Sequence, residues 1–489
     1  MKQILLFLIF VSIPFGFIAQ TKYEIRAAWL TINHALDWPD SPVRNQGDIT
    51  RQKQEFCRIL DELKSANFNV VFLQTRIRGN VIYPSAIEPW SSFVNWGSSL
   101  NPGYDPLAFA IEACHERGLE CHAWFVTFPL GLEKINGKPN NSPTIIKNKG
   151  LVKKFRGELY LDPGNPQTRI YLLSLVKEIV SRYDIDGFHF DYIRYPDRAS
   201  DFPDQDSYSK YGQKQGIELW RRNNINQLVY AAYDTIKSLK PWVVVSSSVL
   251  GMYQKIPGNV RAHWTAYSSV FQDPVDWLSR GKHDWIVPMM YYSDDLFFPF
   301  VENWQEHNCN RYVVPGIGLY RMDRNEGGWN VSTILDQIRY SRLSGTQGNA
   351  FYRTRYLMDN MKGVSDSIKT GFYRYPSQLP PIYWQDSIAP VVPGKPDVVQ
   401  SGDSLQITWE YPEVFEKLRF SVYCSGSFPV DIENPENLLA ARIPDTGFSI
   451  PVDRNKEKGY YFLVTAVDRY HNESEPSKVV FFYMGSLEK

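Results

Sequence analysis

The sequence predicts an α/β protein: a closed (β/α)8 TIM barrel followed by a small all-β sandwich. Eight short runs rich in Val, Ile and Phe alternate with amphipathic stretches from about residue 25 to residue 357. A proline-rich segment interrupts this alternation, and short runs of alternating apolar and polar residues follow it. Parallel strands covered by helices on both faces produce the first pattern, and half-solvated antiparallel strands produce the last.

The predicted barrel strands share an apolar block that ends in polar or aromatic residues. They are Ile25–Ile32, Asn69–Thr75, Leu119–Val126, Gly187–Ile193, Val243–Val249, Trp285–Tyr291, Tyr312–Gly318 and Asn349–Arg355. Helices are predicted at Gln52–Lys64, Asp105–Arg117, Pro166–Arg182, Ile217–Leu239 and Val331–Leu343. Eight units favour a closed barrel. The alternative, an open doubly wound sheet, requires a glycine-rich turn after the first strand, and residues 31–37 contain no glycine.

The N-terminus indicates export. Met1-Lys2 precedes an almost wholly apolar stretch from Ile4 to Ile18, and polar sequence begins after Ala19. A basic start, an apolar stretch of this length and a small residue at the break are typical of a signal peptide, here residues 1–20. We therefore expect a protein that is secreted across the inner membrane, periplasmic or extracellular, and soluble without an integral membrane span.

Three further regions follow the signal peptide. Residues 21–376 form the predicted barrel domain, 377–395 the proline-rich linker and 396–489 the sandwich. The last region resembles a fibronectin type III domain through an early Trp409, a late strand that opens with Tyr460, and Val464-Thr-Ala-Val-Asp468 followed by Asn472. We expect a spacer or docking role for it, with glycan binding as the second option.

The composition narrows the choice of partners. Lys+Arg and Asp+Glu are equal at 53 each, so the chain has no net charge to recruit nucleic acid or an anionic membrane. The 14 Trp, 30 Tyr and 28 Phe suit a well-filled core and also stacking on sugar rings. The five cysteines are scattered without paired metal-ligand spacing, although a Cys114–Cys121 bridge is conceivable in an oxidising compartment.

The fourth strand supplies the leading catalytic candidate. Side chains alternate along a strand, so His189 and Asp191 share one face while Phe188 and Phe190 share the other. The phenylalanines suit packing against helices, which turns His189 and Asp191 into the barrel. Asp191 lies at the strand exit, where active sites of these barrels form, and is predicted to act as a catalytic carboxylate on a glycosidic bond. His189 is predicted to bind substrate or orient its neighbour.

The predicted substrate-binding residues all lie in or just after barrel strands. Besides His189 they are Asp37 and Trp38, Arg76, His122 and Trp124, Arg194, and Tyr291 and Tyr292. Trp124 is predicted to form a sugar platform and His122 to bond a hydroxyl or Asp191; the alternative is that the two are a packed core pair. A buried arginine needs a carboxylate partner, and we expect Asp191 to be the partner of Arg76.

Glycoside hydrolysis ordinarily needs a second carboxylate. Asp294 and Asp295, after the sixth strand, are the preferred candidates by analogy with other barrel glycosidases, and Asp37 and Glu88 are alternatives. No cofactor or metal is predicted, because His34 and the other histidines show no close paired spacing. A metal-dependent hydrolase that gathers His122, His189 and Asp191 stays as an alternative.

Several motifs together resemble the bacterial glycosyl-hydrolase-like family ten proteins, which include an envelope hydrolase of denuded peptidoglycan strands. The matching segments are Glu24-Ile-Arg-Ala-Ala-Trp-Leu-Thr31, Asp37-Trp, Phe72-Leu-Gln-Thr-Arg76, Tyr83-Pro-Ser85, Pro89-Trp90, Pro102-Gly-Tyr-Asp-Pro-Leu-Ala-Phe-Ala-Ile111, Arg117-Gly-Leu-Glu-Cys-His-Ala-Trp-Phe125, Leu161-Asp-Pro-Gly164 and Asp186-Gly-Phe-His-Phe-Asp-Tyr-Ile-Arg-Tyr-Pro196. The resemblance spans about residues 24–375. It implies a barrel, export to the envelope and glycosidase-like activity without a cofactor, with Asp191 as the catalytic position.

Two departures from the family pattern bear on the substrate. Relatives often carry an acidic residue in the loop after the second strand, where this chain reads Gly79-Asn80-Val81, and Pro-Gln where it reads Pro288-Met289. We therefore expect a substrate pocket that differs from that of the relatives, and we do not assume that this chain acts on the family's substrate. Three functions remain open: a glycan hydrolase, a non-catalytic glycan-binding protein that keeps the barrel cleft, and an adhesion protein that works through its sandwich.

Overall fold

The structure is a computed structural model that describes residues 20–484 apart from 42, 96–100, 213, 260, 262, 413–416 and 453–457. The side chains of Asp294, Asp295 and Met484 are also outside the description. The predicted signal peptide, except for Gln20, therefore lies outside the described residues.

A closed barrel of eight parallel strands forms the first domain, as predicted. The strands are β1 (Ile25–Leu30), β2 (Val70–Ile77), β3 (Glu120–Val126), β4 (Gly187–Asp191), β5 (Val244–Leu250), β6 (Trp285–Met289), β7 in two pieces (Tyr312–Val313 and Gly316–Gly318) and β8 (Gly348–Tyr352). Strand β1 pairs with both β2 and β8, which closes the sheet. Almost every strand residue is buried, because side chains fill the barrel on one face and helices cover the other.

Helices alternate with these strands. They are α1 (Gln46–Ser65), α2 (Pro106–Glu116), α3 (Pro166–Arg182), α4 (Ile217–Leu239), α5 (Pro274–Ser279), α6 (Asp294–Glu306), α7 (Val331–Leu343) and α8 (Val364–Ser367). Short helices lie in the loops at Pro143–Lys147, Gln205–Tyr211, Ala266–Ser269 and Thr354–Met358. Across the described part of the chain, every helix is too short or too polar to cross a bilayer.

Three barrel helices begin with the same local device. Asp105, Asn165 and Asp273 each precede a proline at the first helical position and accept a backbone N–H of the first turn. The side-chain oxygen satisfies a donor that has no partner within the helix, and proline supplies the required φ without an N–H to waste. The sequence predicted two of these helices, α2 and α3, and did not predict α5.

A small antiparallel sheet is inserted between β3 and α3, and the sequence did not predict it. Its strands are Pro129–Leu132, Val152–Phe155 and Glu158–Leu161, with Glu158–Leu161 in the middle. A two-stranded hairpin, Lys134–Ile135 with Lys138–Pro139, extends from it. Because this insertion follows the C-terminal end of a barrel strand, it stands beside the barrel mouth.

The C-terminal region is a small all-β unit with two antiparallel sheets. One contains β9 (Asp397–Ser401), β10 (Ser404–Thr408) and β13 (Gly447–Pro451), and the other contains β12 (Leu438–Ile443), β11 (Arg419–Ser425), β14 (Lys458–Val467) and β15 (Val480–Met484). Trp409, Phe420 and Val464 are buried between the sheets. The assignment to the fibronectin type III family stays a prediction.

The sandwich docks at the N-terminal ends of the barrel strands, opposite the mouth. Glu120, the first residue of β3, pairs with His471 Nε2 at 2.7 Å and Arg442 Nη2 at 3.0 Å. Asp184, which precedes β4, pairs with Arg469 at 2.9 Å. The proline-rich linker is also attached, because Ile382 is fully buried in the core that the barrel forms.

Candidate active site

A cavity of about 310 Å³ opens at the C-terminal ends of the barrel strands. Six aromatic residues line it together with polar groups from β1, β2, β4 and β5. The aromatic residues are Trp29, Trp124, Tyr160, Tyr192, Tyr291 and Tyr352. A concave site with many apolar ring faces and a few polar groups is the usual form of a small-ligand or glycan pocket.

Asp191 is the acidic residue at the base of this cavity, and the prediction that β4 directs it inward is confirmed. Its Oδ2 accepts a hydrogen bond from Trp124 Nε1 at 3.1 Å, and its Oδ1 accepts one from the Tyr192 backbone N–H at 2.7 Å. Burial raises the pKa of the carboxyl to about 6, although these two donors and the charge of Arg194 act to lower it. Asp191 therefore exchanges a proton near neutral pH while its orientation is fixed.

Tyr192 follows Asp191 with a backbone φ of 49°, in the left-handed region that a bulky residue rarely adopts. Its side chain is 41% exposed and lines the cavity. Strained backbone of this kind persists where surrounding structure holds it, and it is common beside reacting groups. Here it turns the chain sharply so that a carboxylate and a ring face the same opening.

His189 lies one layer below the cavity, fully buried inside the barrel. Its Nε2 accepts the Trp29 indole N–H at 3.1 Å, so Nδ1 carries the ring proton and donates to Ser246 Oγ at 2.8 Å. Ser248 Oγ, which lines the cavity, is 2.8 Å from the same Nε2. Burial, followed by the charges of His122 and His283, keeps the pKa of His189 well below its usual range. The ring is neutral and positions Trp29 and Ser248, so of the two predicted roles the structure favours orienting a neighbour over contact with substrate.

Polar side chains from β1 and β2 form another part of the wall. Gln74 Oε1 accepts a hydrogen bond from Thr31 Oγ1 at 2.8 Å and from the Asn33 backbone N–H at 3.1 Å. The Asn33 side-chain oxygen is buried, and within the described residues it has no hydrogen-bond partner. Gln74 and Asn33 both line the cavity, so the wall there contains an unpaired acceptor just below its surface.

Glu158 brings a second carboxylate to the cavity, and the sequence interpretation missed it. It starts the central strand of the inserted sheet and accepts a hydrogen bond from the Tyr160 hydroxyl. Arg78 lines the same cavity; burial lowers the pKa of its guanidinium, and the negative charge of Glu158 opposes that effect. No local pattern marks Glu158, because its position depends on how the insertion folds back over the mouth.

The prediction that Arg76 pairs with Asp191 is wrong. Arg76 forms a fork with Glu88, Nε to Oε2 at 2.8 Å and Nη2 to Oε1 at 2.6 Å, and both side chains are buried. The Tyr171 hydroxyl donates to the same carboxylate at 2.6 Å. A planar guanidinium and a carboxylate satisfy each other in this geometry, so the pair is structural and Glu88 is not the second catalytic carboxylate.

His122 is also misassigned by the sequence interpretation. It is fully buried near the N-terminal ends of the strands, where its Nε2 lies 2.9 Å from Glu120 Oε2 and its ring stacks on Trp285. A residue at this end of the barrel cannot reach a ligand at the mouth. The sequence predicted that His122 points into the barrel. It did not predict how far below the mouth the side chain lies, because that distance depends on the strand register.

Asp37 and Trp38 lie beside the mouth without lining the cavity. Asp37 accepts from the Thr31 and Arg355 backbone N–H groups and pairs with Arg353 at 3.1 Å. Burial raises its pKa to about 6 despite these contacts. Trp38 is fully buried and donates to the Gln52 carbonyl at 2.9 Å. These contacts correct the predicted ligand-binding role of both residues.

The remaining predicted residues divide into four groups. Trp124 and Tyr291 line the cavity as expected, and Tyr291 stacks on Tyr352 with centroids 5.8 Å apart. Arg194 influences Asp191 through its charge but pairs with Asp197 at 3.0 Å. Tyr292 is not among the residues that line the cavity; its backbone carbonyl accepts from Gln337 at 2.7 Å. The side chains of Asp294 and Asp295 lie outside the described residues, so their catalytic role stays a prediction.

The structure also bears on cofactors and thiols. In the described ranges, His, Cys, Asp and Glu side chains do not assemble into a group of three or more suited to a metal ion. All five cysteines, each of them in the described part, carry free thiols. Cys114 and Cys121 are both buried without the bridge that the sequence allowed.

A family model described as glycosyl hydrolase-like 10 matches residues 24–315, which is more than half of the chain. The chain belongs to this family. The match covers the barrel from β1 into β7 and includes Asp191, Trp124 and Glu158, so the resemblance drawn from the sequence motifs is confirmed.

Named relatives agree with the family. Glycosyl hydrolase YngK of Bacillus subtilis (strain 168) is 31% identical over 493 residues, which cover 96% of this chain and 95% of that protein. Glycosyl hydrolase DigH of Escherichia coli (strain K12) is 32% identical over 292 residues, 56% of this chain and 66% of that protein. Among solved structures, the PgaB (BpsB) glycoside hydrolase domain from Bordetella bronchiseptica covers 71% of this chain at 12% identity with a TM-score of 0.49.

Proposed function

We propose that this protein hydrolyses glycosidic bonds in a glycan and that Asp191 is the central catalytic residue. The observation that supports this most directly is a buried carboxyl with a pKa raised to about 6, held by two donors at the base of a cavity lined by aromatic rings. A catalytic acid or base works best when its pKa lies near the working pH. Family membership supports the same reaction class.

Glu158 is the proposed second carboxylate. It lines the same cavity from the opposite element, the inserted sheet, while Asp191 lies at the end of β4. Glycosidases divide acid and base or nucleophile roles between two carboxyl groups whose surroundings differ. Asp191 is more than nine-tenths buried and its pKa is close to neutral pH. Glu158 is half-buried and lies beside a tyrosine hydroxyl and an arginine. We assign proton transfer to Asp191 and charge stabilisation or nucleophilic attack to Glu158.

The ring-lined walls would hold the sugar. Trp29 and Tyr352 are edge-to-face at 6.2 Å, and Tyr352 stacks on Tyr291, which makes one continuous aromatic wall. Aromatic faces contact the C–H faces of sugar rings, while Asn33 and Ser248 offer hydrogen bonds to hydroxyl groups. The bacterial cell-wall glycan strand is the substrate we propose first, acted on after export through the predicted signal peptide.

The test compares the wild type with Asp191→Asn and Glu158→Gln on a panel of glycans that includes peptide-free peptidoglycan strands. Each substitution is expected to lower turnover by about 100- to 10,000-fold, because each removes a group that moves a proton or stabilises charge. Full activity of the Asp191→Asn protein would refute the assignment. Loss of turnover in Asp191→Asn alone would leave Glu158 as a binding residue only.

A matched control is Glu133→Gln. Glu133 lies on the same inserted region but pairs with the exposed Lys154 at 2.6 Å and does not line the cavity. Its substitution is expected to leave turnover unchanged. If the wild type binds a glycan in the panel without cleaving any of them, the protein is instead a non-catalytic glycan-binding member of the family.

A further inference from the structure

The four-stranded sheet of the sandwich carries an aromatic surface that is separate from the barrel cavity. Phe428, Phe481 and Tyr483 are 66%, 55% and 59% exposed, and the half-buried Tyr461 lies between them. We name these four residues the aromatic strip. Removing large apolar rings from water is favourable, so a cluster of exposed rings marks a surface that is covered in use.

The strip is continuous. Ring centroids of Phe428 and Tyr461 are 5.5 Å apart, and those of Tyr461 and Phe481 are 5.0 Å apart. Tyr461 pairs directly with Phe481 across β14 and β15. Tyr483 is two residues further along β15, on the same face and about 7 Å from Phe481.

A glycine shapes this surface. Gly459 pairs with Tyr483, and a Cβ placed on Gly459 would meet the Phe481 ring at 2.5 Å. The ring of Phe481 therefore lies over the backbone of Gly459, in the space that any other side chain would fill. The ring lies close to Tyr461, and its side chain is 55% exposed, so it is accessible to a ligand.

We propose that the aromatic strip binds a single polysaccharide chain and anchors the protein to insoluble glycan. Its exposed members are rings without an aliphatic side chain or a charge, and ring faces match the C–H faces of neutral sugars. Ser425, opposite Tyr461 in the sheet, and the Tyr483 hydroxyl supply hydrogen bonds along the edge. The rings are tilted by 45° and 51°, a twisted platform that fits one chain better than a flat crystalline face.

The placement of the strip explains what it would do. The sandwich docks at the end of the barrel opposite the cavity, so one short glycan segment does not occupy both sites. Anchoring raises the local concentration of substrate around the cavity without changing the chemistry there. The strip accordingly acts on insoluble substrate and leaves turnover of soluble oligosaccharides untouched, and it does not depend on the proposed role of Asp191.

The experiment is co-sedimentation of the full mature chain with three insoluble probes: chitin, cellulose and peptide-free peptidoglycan. The test variant is Phe428→Ala/Phe481→Ala/Tyr483→Ala, and the control is Val399→Ala, an exposed apolar residue of the other sheet. All proteins also carry Asp191→Asn so that the probes stay intact. Wild-type retention on at least one probe is expected, weakened about three- to tenfold for each ring removed and unchanged in the control.

Several results would overturn the proposal. They are no wild-type retention on any of the three probes, equal retention of the triple variant, or a change in oligomeric state as its only effect, which would make the strip an interface between copies. The variant Phe481→Tyr/Tyr483→Phe keeps the rings and must keep retention, which separates lost stacking from misfolding. Retention abolished by Tyr352→Ala in the cavity, with the strip intact, would assign binding to the barrel and refute the strip.

Discussion

Replacing Asp191 with Asn is expected to raise stability relative to wild type as the pH rises from 4 to neutral, while it strongly lowers the proposed activity. The rise in the pKa of Asp191 from its ordinary 3.8 to about 6 reflects mainly the burial of a charge. At about 1.4 kcal/mol for each pKa unit, ionising this carboxyl in the folded state costs about 3 kcal/mol. Asparagine carries no charge to bury, so the variant avoids that cost.

The sign of the pH dependence follows from the direction of the shift. Below pH 3.8 both the folded and the unfolded wild type are protonated at Asp191, and the cost is absent. As pH rises from about 4 to about 6 the unfolded chain ionises first, so the wild type loses stability, and above pH 6 the loss is complete. Between pH 4 and pH 7.5 the stability of Asp191→Asn relative to wild type is expected to increase by about 2.5 kcal/mol.

Hydrogen bonding does not cancel this difference. The Asn oxygen accepts from Trp124 or from the Tyr192 N–H but not from both, which costs about 1–3 kcal/mol at either pH. The change between the two pH values is therefore the quantity to measure, by urea unfolding followed through tryptophan fluorescence. An equal stability difference at pH 4 and pH 7.5 would refute the reasoning that burial raises this pKa.

Asp184→Asn is the matched control with the opposite sign. Burial alone would raise the pKa of Asp184, but its contacts with Lys417 and Arg469 lower it to about 2. Its ion pairs then stabilise the fold above pH 3.8 and are lost only toward pH 2. The variant is expected to be less stable than wild type by about 1–2 kcal/mol at both pH 4 and pH 7.5, allowing for solvent screening at this partly exposed site.

Three further outcomes are expected. Trp124→Phe keeps the ring but removes a donor to the Asp191 carboxylate, so the pKa of Asp191 rises. The alkaline limb of the pH–activity profile, where Asp191 loses the proton it must donate, then moves up by about half a pH unit or more; an unmoved limb would exclude the hydrogen bond as a determinant. Glu88→Gln leaves the buried Arg76 guanidinium without its counter-charge and is expected to cost about 3–5 kcal/mol in urea unfolding, against little change for the exposed pair variant Asp336→Asn. Glu120→Gln removes the negative charge that His471 and Arg442 share, so limited proteolysis between residues 385 and 396 is expected to accelerate while cavity residues stay protected. Unchanged cleavage would show that this charge does not hold the sandwich in place.

The barrel could be predicted closely because its signals are local. Three of the five predicted helices, α3, α4 and α7, have the same bounds in the structure, and all eight predicted strands occur. Strand periodicity also directed Asp191 into the barrel, since Phe188 and Phe190 fill the outer layer against Phe125. Alternation along a strand needs only neighbouring residues, so a single sequence carries it.

The partners of polar residues could not be predicted in the same way. Arg76 has a flexible side chain that reaches several carboxylates, and the choice of Glu88 rather than Asp191 depends on how the loop after β2 folds back. Glu158 reaches the cavity because an inserted sheet pairs Glu158–Leu161 with Pro129–Leu132. Such contacts join segments that are separated in the sequence. Many alternative pairings of these segments have comparable free energies, so the sequence alone does not select one.

The sequence by itself determined the eight-stranded barrel, the separate β-unit that follows it, and a carboxylate at the exit of β4. Only the tertiary structure decided which side chains meet there: that His122 and His189 lie below the cavity, that Asp37 is tied to Arg353, and that Glu158 faces the opening. The physical reason is that periodicity fixes the face on which a residue lies. Its depth in the barrel and its charged partner depend on register and on packing across the whole fold.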